Sequence, residues 1–268
     1  MTPRECTVHT HSTLCDGKNT LAEMAAAAYA AGVRYFGASG HSHTPVPSDE
    51  GNVLPADPAA YRAEVLRLRA EYAGRMEVLL GVEWDSRSDG ERAGFDYWIG
   101  SVHELYAPET GRYYCVDWEP ESLAACRDEV CGGDFLTVAE RYYRDAAAVA
   151  EQQPTILGHL DLITKLNRGG VFFDEDAPRY RAAALEALHA ADPSKTLLEI
   201  NTGAVQRGYR DAPYPVPFLL REWRAMGGRI ILTSDAHSAD ALLFGYGMAA
   251  EAARAAGYRE TTLLTAGG

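Results

Sequence analysis

Short apolar runs alternate with longer amphipathic stretches along most of the chain. Runs of four to eight apolar residues are typical of buried strands, and apolar residues at three-to-four spacing are typical of helices. The pattern predicts seven strands, at residues 5–8, 35–39, 76–82, 97–102, 155–158, 197–200 and 229–233. It also predicts helices between and after them, at residues 21–31, 61–72, 136–152, 179–191, 218–226 and 249–256.

This alternation of strand and helix predicts a parallel sheet with helices outside it. No linker or low-complexity tract interrupts the chain, so we expect one domain over residues 1–268. Two segments read as irregular: 43–56 is rich in proline and acidic residues, and 106–134 resembles a loop insertion near a site. Periodicity alone does not decide between an open sheet and a barrel.

The composition limits the kinds of binding partner and the cellular compartment that we expect for this protein. Lys and Arg number 25 against 38 Asp and Glu, a net charge of −13, which argues against a nucleic-acid surface. An anionic substrate would then need bound cations or a few well-placed Arg and Lys side chains. Five cysteines without a C-x-x-C pair indicate a reduced cytoplasmic setting. No apolar run is long enough for a membrane span, no signal-peptide layout opens the chain, and the oligomeric state is not readable.

Polar side chains follow the predicted strands at the point where each strand ends. His9 and His11 alternate along the end of the first strand, so their side chains share a face. In parallel α/β architectures the carboxyl ends of the strands form the functional site. The residues at these ends are His9, His11, His41, Glu83, His103, His159, Asn201, Asp235 and His237.

Six of the eight histidines lie at these ends, which scattered surface histidines would not do. With Glu83, Asp235 and Asp16 they make nine donors, more than the roughly four ligands that one zinc ion takes. The set suits two or three divalent ions with shared carboxylates. Multi-metal sites of this kind hydrolyse phosphate esters.

The motifs that carry these residues resemble those of the polymerase and histidinol phosphatase (PHP) superfamily. Within it, the chain is most similar to the PHP-type histidinol-phosphatases of histidine biosynthesis. The superfamily motifs are His9-Thr10-His11-Ser12, Ser39-Gly40-His41-Ser42, Gly81-Val82-Glu83, Gly100-Ser101-Val102-His103, Gly158-His159-Leu160-Asp161, Glu199-Ile200-Asn201-Thr202 and Ser234-Asp235-Ala236-His237. They occur in the family's order and span nearly the whole chain.

The resemblance implies a distorted (β/α)7 TIM-like barrel with a metal site at the C-terminal ends of its strands. It also implies a trinuclear centre of zinc, manganese or iron. The first ion would be held by His9, His11, Glu83 and Asp235. The second would share Glu83 and add His103 and His159, and the third would take Asp16, His41 and His237.

The activity implied is hydrolysis of L-histidinol phosphate to L-histidinol and phosphate by a metal-activated hydroxide. Asp235 or His237 would assist proton transfer to the leaving group, and Arg207 would support the charge on the phosphoryl oxygens. Residues expected to contact the phosphate or the rest of the substrate are Arg207, Arg210, Lys165, Arg168, His43 and Asn201. For His43 an alternative is a solvent-facing loop position, and for Asn201 it is a bond that holds a loop.

Three other functions stay open on the sequence. The same chemistry could act on another small phosphomonoester, because the motif residues bind metals and phosphate and not the leaving alcohol. A phosphodiesterase or 3′-exonuclease would need a basic strand-binding surface, which the charge of −13 disfavours. A catalytically silent metal-binding domain would be expected to lose ligands, and none of the nine is lost here.

Overall fold

The computed structural model describes residues 5–265, and its centre is a seven-stranded parallel sheet. The strands of this sheet are β1 (Cys6–Thr7), β2 (Tyr35–Ala38), β3 (Glu77–Asp85), β4 (Tyr97–Ser101), β7 (Ile156–Leu157), β8 (Leu197–Asn201) and β9 (Arg229–Thr233). A separate antiparallel hairpin consists of β5 (Glu104–Ala107) and β6 (Arg112–Cys115). The helices are α1 (Leu21–Ala30), α2 (Ala59–Glu71), α3 (Pro120–Val130), α4 (Phe135–Ala150), α5 (Pro178–His189), α6 (Gly203–Gln206), α7 (Pro217–Ala225) and α8 (Tyr246–Ala255).

The sheet closes into a distorted barrel, as the resemblance implied. Its strands pair in the order β1-β2-β3-β4-β7-β8-β9, always in parallel. The two edges meet beyond the regular strands, where Thr10 forms a parallel bridge with Ala236. The His11 amide donates to the Ala236 carbonyl at 2.9 Å, and the Ala236 amide donates to the His9 carbonyl at 3.1 Å. The first and last metal motifs therefore become neighbours.

The interior of the barrel is filled by apolar side chains around the large ring of Tyr97. Its hydroxyl donates to the Val8 carbonyl at 2.5 Å across the barrel. Gly37 and Gly81 lie against this ring, and a Cβ at Gly81 would lie 2.1 Å from the Tyr97 Cζ. Two further apolar clusters fill the space between the strands and the helices. A packed barrel floor leaves the carboxyl ends of the strands as the place for chemistry.

The prediction of an irregular loop over residues 106–134 is wrong. This segment contains most of the β5–β6 hairpin and the whole of α3. The amphipathic pattern of α3 is weak because only Leu123 and Cys126 of this helix are buried. The Val116 amide, directly after β6, donates to the His103 carbonyl at 2.9 Å. The insertion is thus fastened beside a predicted metal ligand.

Smaller differences between the predicted and the observed elements concern the ends and the lengths of strands. Strand β3 continues to Asp85, so Glu83 lies within its last residues and not after it. Strands β1 and β7 have only two residues each, although their apolar runs are longer. Within residues 5–265, each helix is too short or too polar to cross a bilayer.

Candidate metal centre

His9 and His11 lie side by side at the closed edge of the barrel. Both side chains are fully buried, and their ring centroids are 5.3 Å apart. The alternation along an extended chain predicts this shared face. Their Nε2 atoms approach the same carboxylate oxygens: that of His9 lies 3.1 Å from Glu83 Oε2, and that of His11 lies 3.2 Å from Asp235 Oδ1.

Glu83 is the centre of the cluster. Its carboxylate is 1% exposed and lies within 3.5 Å of imidazole nitrogens from five different histidines. These are His9, His11, His41, His103 and His159. Oε1 faces His159 at 2.9 Å and His103 at 3.5 Å, while Oε2 faces the other three. A carboxylate with both oxygens among imidazoles has the arrangement expected of a bridging ligand.

Asp16 gathers the remaining predicted ligands on the more open side of the cluster. Its Oδ2 lies 3.0 Å from His237 Nε2 and 3.6 Å from His41 Nε2. Its Oδ1 lies 3.5 Å from His11 Nδ1. The structure therefore brings all nine predicted metal ligands into one continuous cluster.

The donor set fits divalent metal ions. His9 Nε2, His11 Nε2 and Glu83 Oε2 are buried, and none has a hydrogen-bond partner among residues 5–265. Buried polar atoms rarely stay unpaired, and imidazole and carboxylate together suit zinc, manganese or iron. Groups whose donor atoms lie within 4.8 Å of one another are His11-Asp16-His41-His237, His9-His11-Asp235, His9-Glu83-His159 and His41-Glu83-His103. His41 thus lies near Glu83 as well as Asp16, a proximity that the predicted sets did not include.

Burial and the neighbouring charges determine which of the donors are ionised. Burial and two neighbouring imidazoles lower the pKa of His11 to about 3, so its ring is neutral at pH 7. Burial opposes ionisation of Glu83, yet the surrounding imidazoles hold the pKa of this carboxyl well below its usual value. Burial likewise opposes ionisation of Asp235, and the Arg207 guanidinium beside it is the main group that holds its pKa low. Neutral imidazoles and ionised carboxylates are the forms that bind metals.

Three histidines of the cluster have raised pKa values. Burial opposes their protonation, yet the neighbouring carboxylates raise the pKa of His9 and His41 well above the usual value and that of His103 to about 9. Metal binding would therefore release protons from these rings.

Two carboxylates that sequence reasoning missed orient the histidines from behind. Glu199 accepts from His9 Nδ1 at 2.6 Å and from the His159 amide at 2.9 Å. Asp85 accepts from the His103 amide at 2.8 Å and lies 3.1 Å from its Nδ1. Such contacts fix the tautomer and the ring direction of a metal-binding histidine. A lone acid in the apolar run Leu197-Leu198-Glu199-Ile200 was the available signal.

Arg207 lies at the edge of the cluster. One guanidinium nitrogen donates to Asp235 Oδ2 at 2.9 Å, and the other lies 3.1 Å from His237 Nδ1. Its side chain is 26% exposed, so Arg207 contacts the cluster from a partly open position. This is the only predicted phosphate-binding arginine that contacts metal-ligand side chains within residues 5–265.

The other predicted cations lie in different settings. Lys165 is mostly buried and forms an ion pair with Asp117 at 2.7 Å. Arg210 donates to the Thr164 carbonyl at 3.1 Å and stacks on the Tyr214 ring. Arg168 is largely exposed and pairs with Asp211 at 2.6 Å.

The other two candidates for substrate contact also have protein partners. His43 lies 2.6 Å from Asp89 in a partly exposed pair. Asn201 is fully buried, donates to Glu199 at 2.7 Å and accepts from the Gly203 amide at 2.7 Å. These bonds match the alternative in which Asn201 holds a loop at the strand end.

Comparison with known proteins agrees with the motifs and the barrel. Residues 5–203 match the PHP domain. The chain belongs to the PHP domain family. This match covers seven of the nine metal-ligand candidates in the cluster, among them His103 and His159, while Asp235 and His237 follow it in the chain.

Two curated relatives extend the similarity over most of the chain. A Deinococcus radiodurans protein named "probable histidinol-phosphatase" is 30% identical over 96% of this chain and 95% of its own length. A histidinol-phosphatase of Bacillus subtilis is 24% identical over 75% of this chain and 79% of its own.

A solved structure shares the fold. The Lactococcus lactis histidinol phosphate phosphatase, determined with zinc, L-histidinol and phosphate, superposes with a TM-score of 0.74. It is 22% identical, and the alignment covers 98% of this chain and 97% of that one.

Proposed function

We propose that this protein is a phosphomonoesterase that hydrolyses L-histidinol phosphate to L-histidinol and phosphate. The observation that carries the chemistry is the convergence of six histidines on the carboxylates of Glu83, Asp16 and Asp235, with the Arg207 guanidinium at their edge. The identity of the alcohol is inferred from the relatives. Two of them are named histidinol-phosphatases, and their alignments cover at least three quarters of this chain.

The proposed cofactors are two to three divalent ions, of zinc, manganese or iron. His9, His11, Glu83 and Asp235 would hold one, Glu83 with His103 and His159 a second, and Asp16 with His41 and His237 a third. Such ions lower the pKa of water and offset charge on phosphoryl oxygens. The zinc of the Lactococcus lactis structure supports a metal of this type.

The chain's own residues bind the substrate and handle its proton. Arg207 presents N–H groups beside Asp235, where a phosphoryl group would meet the metal ligands. Arginine suits this role because its planar fork matches phosphate oxygens. The leaving alkoxide needs a proton, and we propose that Asp235 or His237, which both contact Arg207, assists its transfer.

We propose that one domain in the cytoplasm carries this activity. In support, the ligand candidates come from the ends of strands in a single sheet. All five cysteines are free thiols, as expected in a reducing compartment. The substrate is a small molecule, and the charge of −13 disfavours a nucleic acid.

A second candidate is the same reaction on another small phosphomonoester. The observation that keeps it open is that the cluster and Arg207 are suited to metal and phosphate, which every phosphomonoester shares. The alcohol must be recognised by other parts of the site.

Phosphate release from a panel of esters tests the proposal. The panel holds histidinol phosphate, sugar phosphates and nucleotides, each at several concentrations with the metal-loaded protein. We expect histidinol phosphate to have the highest kcat/KM. Equal turnover of generic esters would reject the specific substrate and leave the phosphatase class, whereas release from none of them would reject both.

A further inference from the structure

Asp117 lies in the hairpin insertion, shortly after β6, and belongs to none of the expected metal-ligand sets. It follows Val116, whose amide is bonded to the carbonyl of the ligand His103. The hydrogen bond between Val116 and His103 therefore holds Asp117 near the cluster of metal-ligand candidates.

The partner of Asp117 is the buried ammonium group of Lys165. Asp117 Oδ2 accepts from Lys165 Nζ at 2.7 Å, and the side chains are only 16% and 9% exposed. The Asp117 Oδ1 contacts the Cys115 thiol at 3.4 Å, a weak donor. Lys165 Nζ also lies 5.1 Å from the centre of the Tyr209 ring, which is 39% exposed. A negative and a positive charge thus stand side by side near the cluster.

This arrangement is costly if it serves only to hold the hairpin. Removing two charges from water carries a large penalty, and an apolar pair of similar volume often stabilises a protein as well or better. The hairpin already has other fastenings, among them the Val116–His103 bond and the Arg112–Glu129 ion pair at 2.7 Å. The charges of Asp117 and Lys165 therefore suggest a role in binding.

We propose that Asp117 binds an ammonium group that the substrate carries on the carbon next to its ester carbon, while Lys165 binds the phosphate end. This inference rests on the proposed function, since L-histidinol phosphate has this arrangement of charges. A carboxylate has about four acceptor positions, so Asp117 can accept a hydrogen bond from a substrate ammonium group and still accept one from Lys165. Asp117 would then distinguish amino-alcohol phosphates from other phosphomonoesters.

The test compares esters that differ only in the amine. Wild-type protein and Asp117→Asn are assayed on histidinol phosphate and on its deamino analogue, imidazolylpropyl phosphate. A charged hydrogen bond of the usual strength predicts a roughly 10- to 100-fold fall in kcat/KM on histidinol phosphate. On the deamino analogue we expect a change below about threefold, because the lost contact is absent there.

Glu129→Gln is the matched control. Glu129 is a carboxylate of the same insertion, and it accepts from Arg112 and from the Tyr114 hydroxyl at 2.7 Å. Loosening the hairpin through this residue should change both esters by the same factor. A fall of equal size on both esters in Asp117→Asn would overturn the proposal and make Asp117 a purely structural partner of Lys165.

Two further measurements keep the outcome decisive. If Asp117→Asn does not fold, Asp117→Glu shifts the carboxylate by one methylene, and its losses must still fall selectively on the amine-bearing ester. If wild-type protein does not favour histidinol phosphate over generic esters, the proposed function fails separately. Phosphoethanolamine and ethyl phosphate then test Asp117 alone: a wild-type preference for the amine that Asp117→Asn removes supports the inference, and no preference overturns it.

Discussion

At the scale of single residues, the cluster depends on how each imidazole is turned. Glu199 fixes His9 through its Nδ1, so that Nε2 points to Glu83. Asp85 contacts His103 in the same manner and leaves its Nε2 toward Glu83. Residues behind the ligands therefore determine which nitrogen faces the site.

We expect Glu199→Gln to weaken metal binding without unfolding the protein. Loss of a carboxylate behind a ligand usually costs about 10- to 100-fold in metal affinity. Competition with a chromophoric chelator measures the affinity directly. Glu186→Gln, an exposed change on α5, is the control. Equal affinities in the two variants would show that Glu199 does not position His9.

Arg207→Ala should weaken phosphate binding and leave the metal content intact. Removing a charged hydrogen-bond donor predicts a roughly 10- to 100-fold higher inhibition constant for inorganic phosphate. Inhibition assays and elemental analysis of the same sample give the two readouts. Arg168→Ala provides the comparison, since Arg168 is exposed and paired with Asp211, and we expect it to have the smaller effect. Loss of metal from Arg207→Ala would show that its bond to Asp235 is structural.

At the scale of elements, the strands are spaced by what fills the barrel. The Tyr97 ring lies where side chains on β2 and β3 would otherwise stand, and glycines at residues 37 and 81 make room for it. The Tyr97 hydroxyl is also bonded to the Val8 carbonyl, just before His9 and His11, the first two metal-ligand candidates. Packing in the barrel and the position of His9 are thus connected.

Gly81→Ala is expected to destabilise the protein by about 1–3 kcal/mol, because overpacking forces the ring and the strands apart. Thermal unfolding of the variant, followed by circular dichroism, measures the change. Gly247→Ala on α8 is the control: a Cβ there meets nothing within 4 Å, and alanine should stabilise the helix by up to about 1 kcal/mol. An unchanged melting temperature in Gly81→Ala would contradict the packing described for Tyr97.

At the scale of the whole molecule, the net charge affects how an anionic substrate approaches. The chain carries −13 overall, and a phosphomonoester must approach it against this field. Bound cations and Arg207 would reverse the local sign where the phosphate binds. The net negative charge also disfavours the binding of extended nucleic acids, whose phosphates would lie beyond this local positive site.

Removal of the metals should lower the melting temperature and abolish phosphatase activity. Ions that bind only the folded state stabilise it by mass action, so chelation removes that contribution. Elemental analysis of the untreated protein should show more than one metal per chain. The melting temperature should return when zinc or manganese is added back. An unchanged melting temperature after verified metal loss would contradict a centre that spans both edges of the barrel.

Much of this site was predictable because it depends on local sequence. A strand that ends in a histidine or an acid shows both its apolar run and its ligand within a few residues, as at His41 and His159. Parallel strands place their carboxyl ends together, so the gathering of these ligands follows from the fold class. The β5–β6 hairpin and α3 were missed because their patterns are short and weakly amphipathic.

The sequence by itself determined the alternation of strands and helices, the ligand types and the edge of the sheet at which they meet. Only the tertiary structure decided that the barrel closes through Thr10 and Ala236, that Glu199 orients His9 from 190 residues away, and that Asp117 pairs with Lys165. The physical reason is the distance along the chain between the residues that interact. Periodicity and motifs report on neighbours along the chain, whereas closure, pairing and orientation come from contacts between residues that are distant in sequence.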